Sequence, residues 1–130
     1  VRNAHRHQSP GHSADTKPNC PQLRGEDAGY EILQSPNRPS AIFAVNDDLA
    51  IGVMAAAHRL GLEIGKDISL VGYNDIPLVS RLPIPLTSVK TPLDQLASNA
   101  VDLLLKNSDE PMQRYSLPTL IPRGSSRPNR

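Results

Sequence analysis

Two clusters of amide and carboxylate side chains each follow an apolar segment that is typical of a buried strand. Asn46-Asp47-Asp48 comes directly after residues 41–45, and Asn74-Asp75 follows residues 68–73. Ligands of parallel sheets bind beyond the carboxyl ends of the strands, so neighbouring strands would place both clusters on one rim. Side chains of this kind can fix the hydroxyl groups of a ligand, because a wrong ligand would leave buried polar groups unpaired.

Each cluster also has a purely local interpretation. Asn46 can cap the helix that follows it, and Asn74-Asp75 can simply form a turn. The spacing alone therefore leaves two alternatives open at both places, ligand contact and local backbone structure.

The sequence does not favour catalysis or metal binding. It contains no Ser/His/Asp set at a recognisable nucleophile elbow and no glycine-rich phosphate loop. His58 falls on a predicted crossover helix, far from the strand ends. Three histidines and the only cysteine match no standard zinc spacing: His5, His7, His12 and Cys20. We therefore expect no enzyme activity, no cofactor and no bound metal.

Composition and charge limit the possible partners. The 130 residues fit one domain, and a formal net charge of +1 gives no long-range attraction to nucleic acid or an anionic membrane. A single cysteine allows no intramolecular disulfide, which suits a reducing cytoplasm. Residues 1–20 lack the apolar core of a secretory signal, and no run reaches the roughly 18 apolar residues of a membrane span. We expect a cytoplasmic protein without a membrane partner, with Arg123, Arg127 and Arg130 in a solvated tail.

The middle of the chain reads as a strand–helix–strand unit of an α/β parallel-sheet fold. Residues 41–45 form a continuous apolar run, which predicts a strand buried on both faces. Apolar residues then recur at helical spacing from Leu49 to Leu60, and Gly61 is placed to end the helix in a left-handed cap. A second strand is predicted at residues 68–73, so the crossover should be right-handed and the strands parallel.

Further elements are predicted on either side of this unit. Residues 1–24 are polar and proline-rich and are expected to be irregular, while residues 26–34 predict a short helix. Residues 86–89 and 115–121 predict strands, and Pro118 makes the latter either an edge strand or a broken one. Residues 91–107 predict an amphipathic helix with Thr91 as N-cap and Pro92 at its first position.

Five ordered segments resemble motifs of the lactose-repressor/galactose-repressor family of bacterial transcriptional regulators. Residues 39–47 are similar to the family's "PTAIFAxND", and residues 67–76 to "DISVVGFDDI". Residues 50–62 resemble its "A-x-G … GL" helix, residues 85–89 its "PLTTV", and residues 120–125 its "L-I-x-R-G-S". The resemblance covers residues 39–126.

The resemblance implies a periplasmic-binding-protein-like effector module, of which this chain carries part of one flavodoxin-like lobe. Asn46 matches an effector-contacting asparagine, and Asn74 stands where most members have an effector-contacting aspartate; Asp47, from the first cluster, is the third candidate. The implied effector is a small molecule of carbohydrate type. Positions that match the family's dimer interface imply a homodimer: Ile51, Ala55, Val79 and Leu82.

The resemblance also sets expectations for domain organisation. Residues 25–130 would be the C-terminal part of an effector-binding domain that is incomplete, with helix 91–107 belonging to the N-terminal lobe of a complete protein. The family's helix-turn-helix has no counterpart in these 130 residues, so operator DNA would be bound only through a missing N-terminal domain. The alternative function is that of a fragment of a sugar-binding transport protein with the same fold.

The chain by itself is expected not to bind operator DNA specifically, because none of its segments resembles a recognition helix. A gel-shift titration with operator and scrambled duplexes measures this directly. Sequence-selective, salt-dependent retardation by this chain would contradict the expectation.

Overall fold

The computed structural model describes residues 20–106 and 112–127, which form three α-helices, one 3₁₀ helix and four strands. The elements, in chain order, are helix α1 (Pro21–Leu33), strand β1 (Ala41–Phe43), helix α2 (Asp47–Arg59), strand β2 (Ser69–Asn74), a 3₁₀ helix (Pro77–Arg81), strand β3 (Thr87–Lys90), helix α3 (Leu93–Leu105) and strand β4 (Thr119–Ile121).

The four strands form one mostly parallel sheet in the order β1-β2-β3-β4. β1 pairs in parallel with β2, and β2 with β3, whereas β4 joins the far side of β3 in the antiparallel direction. The predicted α/β class and the β1–α2–β2 unit are confirmed. β4 begins only after Pro118, because proline has no N–H to donate to the ladder.

Strand β1 differs from its prediction, since it is not buried on both faces. Phe43 is 58 % exposed and Val45 is 70 % exposed, whereas Ala44 between them is buried. β1 is an edge strand of the described sheet, and alternate residues of a strand point to opposite faces. Among the described residues, only one face of this run is therefore covered.

Helix α1 is longer than predicted and pairs closely with α2. It begins at Pro21, so residues 21–24 are helical instead of irregular; residues 1–19 lie outside the described residues. A Cβ atom at Gly52 would collide with the carbonyl oxygen of Gln22, so the glycine allows the two backbones to touch. Arg59 bonds Glu26 at 2.8 Å, and this bond raises the pKa of the guanidinium.

Helix α2 has the signals that its sequence predicted at both ends. The side chain of Asn46 accepts a bond from the N–H of Leu49 at 2.8 Å, and Asp47 and Asp48 lie in the first turn. Gly61 follows the helix with φ +69°, as a left-handed cap requires. The core is formed by buried side chains of α2, of β2 and of the residues just before β3, among them Val53, Leu70 and Leu86.

Helix α3 has no buried residue, and within residues 20–106 and 112–127 it packs against no other helix or strand over a substantial surface. Its N-cap is Pro92 instead of the predicted Thr91, whose hydroxyl makes no cap bond. Most of its apolar residues are exposed, up to 81 % at Leu104. The expectation that this helix belongs to another lobe stays a prediction. None of the helices in the described ranges is long and apolar enough to cross a membrane.

Leu70→Ala should lower the free energy of unfolding by about 2–5 kcal/mol, because a fully buried leucine leaves a cavity. Leu104→Ala is the matched control and should change it by no more than about 0.5 kcal/mol, since Leu104 is exposed. Urea unfolding followed by circular dichroism gives both values. Equal losses in the two variants would contradict the assigned core.

Candidate functional site

The two polar clusters lie on the same rim of the sheet, as the sequence predicted. β1 and β2 are parallel neighbours. Asn46 lies beyond the carboxyl end of β1, and Asn74 is the last residue of β2. A hydrogen bond links the first cluster to the residue that follows the second, because the carboxylate of Asp47 accepts from the backbone N–H of Ile76 at 2.8 Å. The clusters therefore form one connected structure.

Asp47 is the centre of this structure and is 1 % exposed. Its Oδ2 accepts from Ile76, and its Oδ1 accepts from the hydroxyl of Ser88 at 2.6 Å. The Ser88 oxygen in turn accepts from the N–H of Asp75 at 3.1 Å. Asp47 thus ties the start of α2 to the segment after β2 and to β3, and both of its oxygens are used within the protein.

Gly72 makes room for the Asp47 carboxylate. A Cβ atom at this position of β2 would collide with Oδ1 of Asp47 and press on the side chain of Leu86. Glycine is needed here for close approach, since its φ is not left-handed.

The segment that carries Asn74 has an uncommon backbone. Asn74 has φ +107° and Asp75 has φ +57°, and they are the only non-glycine residues with positive φ in the described ranges. Such conformations cost about 1–3 kcal/mol each and persist only where the surroundings hold them. The backbone at the end of β2 is consequently held in a conformation that ordinary strands do not adopt.

Arg123 holds the other side of this turn, which corrects the expectation of a solvated tail. Its Nη1 lies 2.7 Å from Oδ1 of Asp75, and the two side chains are only 17 % and 11 % exposed. The same nitrogen donates to the carbonyl of Leu86 at 2.8 Å, so Asp75 is paired by charge without an aligned hydrogen bond. Arg127 is exposed, and Arg130 lies outside the described residues.

The residues after Arg123 are also built into the sheet. The hydroxyl of Ser125 donates to the carbonyl of Leu70 at 2.6 Å and accepts from the N–H of Thr87 at 2.8 Å. Ser125 is completely buried. The C-terminal segment is thus part of the structure that positions β2 and β3.

A pocket of about 600 Å³ opens beside the turn. It lies between the end of β2, the end of β3 and the first turn of α3. Its lining residues are Asn74, Asp75, Ile76, Pro77, Lys90, Thr91, Pro92, Leu93, Asp94 and Gln95. Of the predicted effector-contacting residues, Asn74 lines this pocket, whereas Asn46 and Asp47 do not.

The pocket wall holds an unpartnered polar group. The hydroxyl oxygen of Thr91 is shielded from solvent and has no hydrogen-bond partner in the part of the chain that the structure describes. Lys90 and Asp94 add one charge of each sign. A ligand with hydroxyl groups could supply the missing bond, because a hydroxyl both donates and accepts. Among the described residues, no group of three histidine, cysteine or acidic side chains could hold a metal ion.

The four predicted dimer residues differ in what they offer to a partner. Ala55 is exposed, whereas Ile51 and Leu82 are partly buried against the core. Val79 is completely buried inside the chain, so in this structure it presents no surface and acts as a core residue.

Three residues of the site had no role in the sequence-based interpretation: Gly72, Ser88 and Arg123. Ser88 and Arg123 fall within motifs that resemble the family's, and that was the available signal. Their partners are 41 and 48 residues away along the chain. No local pattern could have identified those partners.

Comparison with known proteins identifies the class. A profile of the periplasmic binding protein-like domain family matches residues 3–126. The chain belongs to this family. The match begins far upstream of residue 39, so it extends beyond the region in which the sequence motifs were recognised.

Individual relatives are transcriptional repressors. The chain is 40% identical to the ribose operon repressor of Escherichia coli (strain K12) over 106 residues, which are 78% of this chain and 32% of the repressor. It is similar to the Lac repressor dimer bound to operator and the anti-inducer ONPF, with a TM-score of 0.74 and 30% identity over 80% of this chain and 37% of that one.

A third relative is a LacI family transcriptional regulator from Enterococcus faecium with bound ribose. Its TM-score is 0.71 at 26% identity, with 84% of this chain and 41% of that chain covered. These relatives confirm the predicted membership of the lactose-repressor/galactose-repressor family and favour it over the transport-protein alternative. The chain spans about a third of the length of the curated repressor that it matches.

Asp47→Ala should lower the free energy of unfolding by about 2–5 kcal/mol, because it leaves the Ile76 N–H and the Ser88 hydroxyl without their acceptor. Asp48→Ala is a control in the same helical turn. It removes a similar interaction with the helix dipole and the part-buried side-chain bond that Asp48 accepts from Gln22, and should cost about 1–2 kcal/mol. Chemical unfolding of both variants tests the difference, and a cost at Asp47 no larger than at Asp48 would be inconsistent with this network.

Proposed function

We propose that this chain forms one wall of the effector site of a transcriptional regulator, and that the effector is a sugar-like molecule. The single observation that carries the proposal is the pocket at the end of β2, which Asn74 lines from a backbone with positive φ. The ribose bound to the Enterococcus faecium relative supports the chemical class.

The polar groups of the pocket suit a neutral, hydroxyl-rich ligand. An asparagine amide offers both a donor and an acceptor, so Asn74 can bind two adjacent hydroxyl groups. Thr91 offers a shielded hydroxyl that lacks a partner. The side chains of Leu93 and Pro92 supply an apolar surface against which the carbon face of a sugar ring can pack.

The other two predicted contacts take different parts in the proposal. Oδ1 of Asn46 is occupied by the N–H of Leu49, which leaves its amide hydrogens to donate to a ligand that reaches along the rim. Asp47 is buried with both oxygens used, so we assign it to holding the Asn74 turn instead of touching the effector.

We further propose that the protein acts as a homodimer on operator DNA. The Lac repressor relative is a dimer bound to operator. Ala55, with the partly buried Ile51 and Leu82, would contact the partner, and Val79 would support them from below. DNA contact would come from a part of the protein other than these 130 residues.

Titration of the chain with D-ribose, followed by amide NMR, tests the effector site. Because one wall alone binds weakly, we expect a dissociation constant no tighter than about 1 mM, with shifts centred on residues 74–77 and 90–95. Asn74→Ala should weaken the response about tenfold or more, the loss expected for a hydrogen-bonded contact.

Asn37→Ala is the control, because Asn37 is exposed in the turn before β1 and far along the chain from the pocket. It should leave the titration unchanged. Shifts that appear elsewhere, or that persist in full in Asn74→Ala, would rule out this site. A decanoate or phosphate response in place of ribose would reject the sugar-like class.

A further inference from the structure

We propose that Arg123, in the segment after β4, is a positioning residue for Asn74. It acts through the buried carboxylate of Asp75 and keeps the Asn74-Asp75 turn in its left-handed conformation. The consequence for ligand binding rests on the proposed function, whereas the consequence for the turn itself does not.

The backbone of the turn requires an external hold. Asn74 and Asp75 are consecutive residues with φ of +107° and +57°, and neither is a glycine. Asparagine and aspartate tolerate positive φ better than most residues, but glycine is the residue that adopts it without a steric cost. Contacts around the turn must therefore offset the cost of two such residues in succession.

Two backbone hydrogen bonds hold the C-terminal side of the turn. The N–H of Asp75 donates to Ser88 at 3.1 Å, and the N–H of Ile76 donates to Asp47 at 2.8 Å. These bonds fix where the chain leaves the turn. Asn74 itself is the last residue of β2 and pairs in register with Lys90 of β3. These contacts do not hold the carboxylate of Asp75, and with it the left-handed φ of that residue, which another contact must set.

Arg123 supplies that contact, and its own position is held by hydrogen bonds. Its backbone N–H donates to the hydroxyl of Thr87 at 2.8 Å, and its Nη1 donates to the carbonyl of Leu86 at 2.8 Å. Both partners lie at the start of β3. The guanidinium is therefore anchored to the sheet before it meets Oδ1 of Asp75 at 2.7 Å.

Burial makes this ion pair decisive for the turn. The two side chains are 11 % and 17 % exposed, so water cannot readily replace the lost partner. Without the guanidinium, the Asp75 carboxylate would gain by rotating outward to solvent. We expect this movement to relax the left-handed φ of Asp75 as well, and the change in the backbone would redirect the side chain of Asn74, its chain neighbour.

The test compares Arg123→Met with Arg127→Met in the 130-residue chain. Arg127 lies four residues further along and is exposed. A strong intraresidue Hα–HN cross peak reports positive φ at residues 74 and 75 without any ligand, and titration with D-ribose reports the pocket. We expect Arg123→Met to lose the cross peaks and to bind ribose at least about tenfold more weakly, with Arg127→Met unchanged.

A second substitution separates positioning from general stability. Arg123→Met combined with Asp75→Gly removes the unpaired carboxylate and places at position 75 a residue that adopts positive φ freely. This double variant should regain the Asn74 cross peak and most of the ribose affinity. A residue that only stabilised the fold would not be compensated by the loss of another side chain.

Each outcome decides the proposal. Unchanged cross peaks in Arg123→Met, or a double variant that does not recover them, would overturn it. If Arg123→Met does not fold, the double variant decides alone: a folded chain with the Asn74 cross peak supports the proposal, and an unfolded one overturns it. If the unsubstituted chain does not bind ribose but Arg123→Met still loses the cross peaks, the positioning role is upheld and the proposed function is rejected.

Discussion

A single buried carboxylate connects the parts of the molecule that form the candidate site. Asp47 lies at the start of α2, yet its oxygens accept bonds from the segment after β2 and from β3. An isolated buried carboxylate is strongly unfavourable, so it must keep these donors. That requirement fixes the distance between the helix and two strands and explains why β2 has a glycine where the carboxylate passes.

The site that results is built from distant parts of the chain. Asn74 comes from the end of β2, Thr91 from the entry to α3, and Arg123 from beyond β4. The two polar clusters on the rim have accordingly separated into two roles. The first cluster connects α2 to β3 and to the segment after β2 through Asp47, and it caps α2 through Asn46. The second cluster contributes the amide of Asn74 to the lining of the pocket.

Helix α3 takes no part in the hydrogen-bond network around Asp47. It contributes its first turn to the pocket, but its apolar face meets no other described element. The relatives are about three times as long as the matched segment, and their names and bound molecules belong to the whole proteins. The described residues supply a rim that buried hydrogen bonds hold together, and Asn74 is the proposed ligand-contacting residue on that rim.

The sequence by itself determined the elements whose signals are local. The period of apolar residues in α2, the cap at Asn46 and the left-handed Gly61 all follow from contacts between residues a few positions apart. The parallel pairing of β1 and β2 could be predicted because a helix of suitable length connects them. Family motifs likewise pointed to the rim and to Asn74. The burial of individual residues was harder to predict from the sequence. Residues 41–45 are apolar throughout, but their exposure depends on what lies at the edge of the sheet.

Only the tertiary structure decided how these elements cooperate. Arg123 looks like part of a basic tail in the sequence, and its burial against Asp75 depends on β4 returning beside β3. The positive φ values of Asn74 and Asp75 are also not encoded locally, because both residues are common in ordinary turns. Long-range pairing and desolvation set these features, and neither has a signature in residue type or spacing.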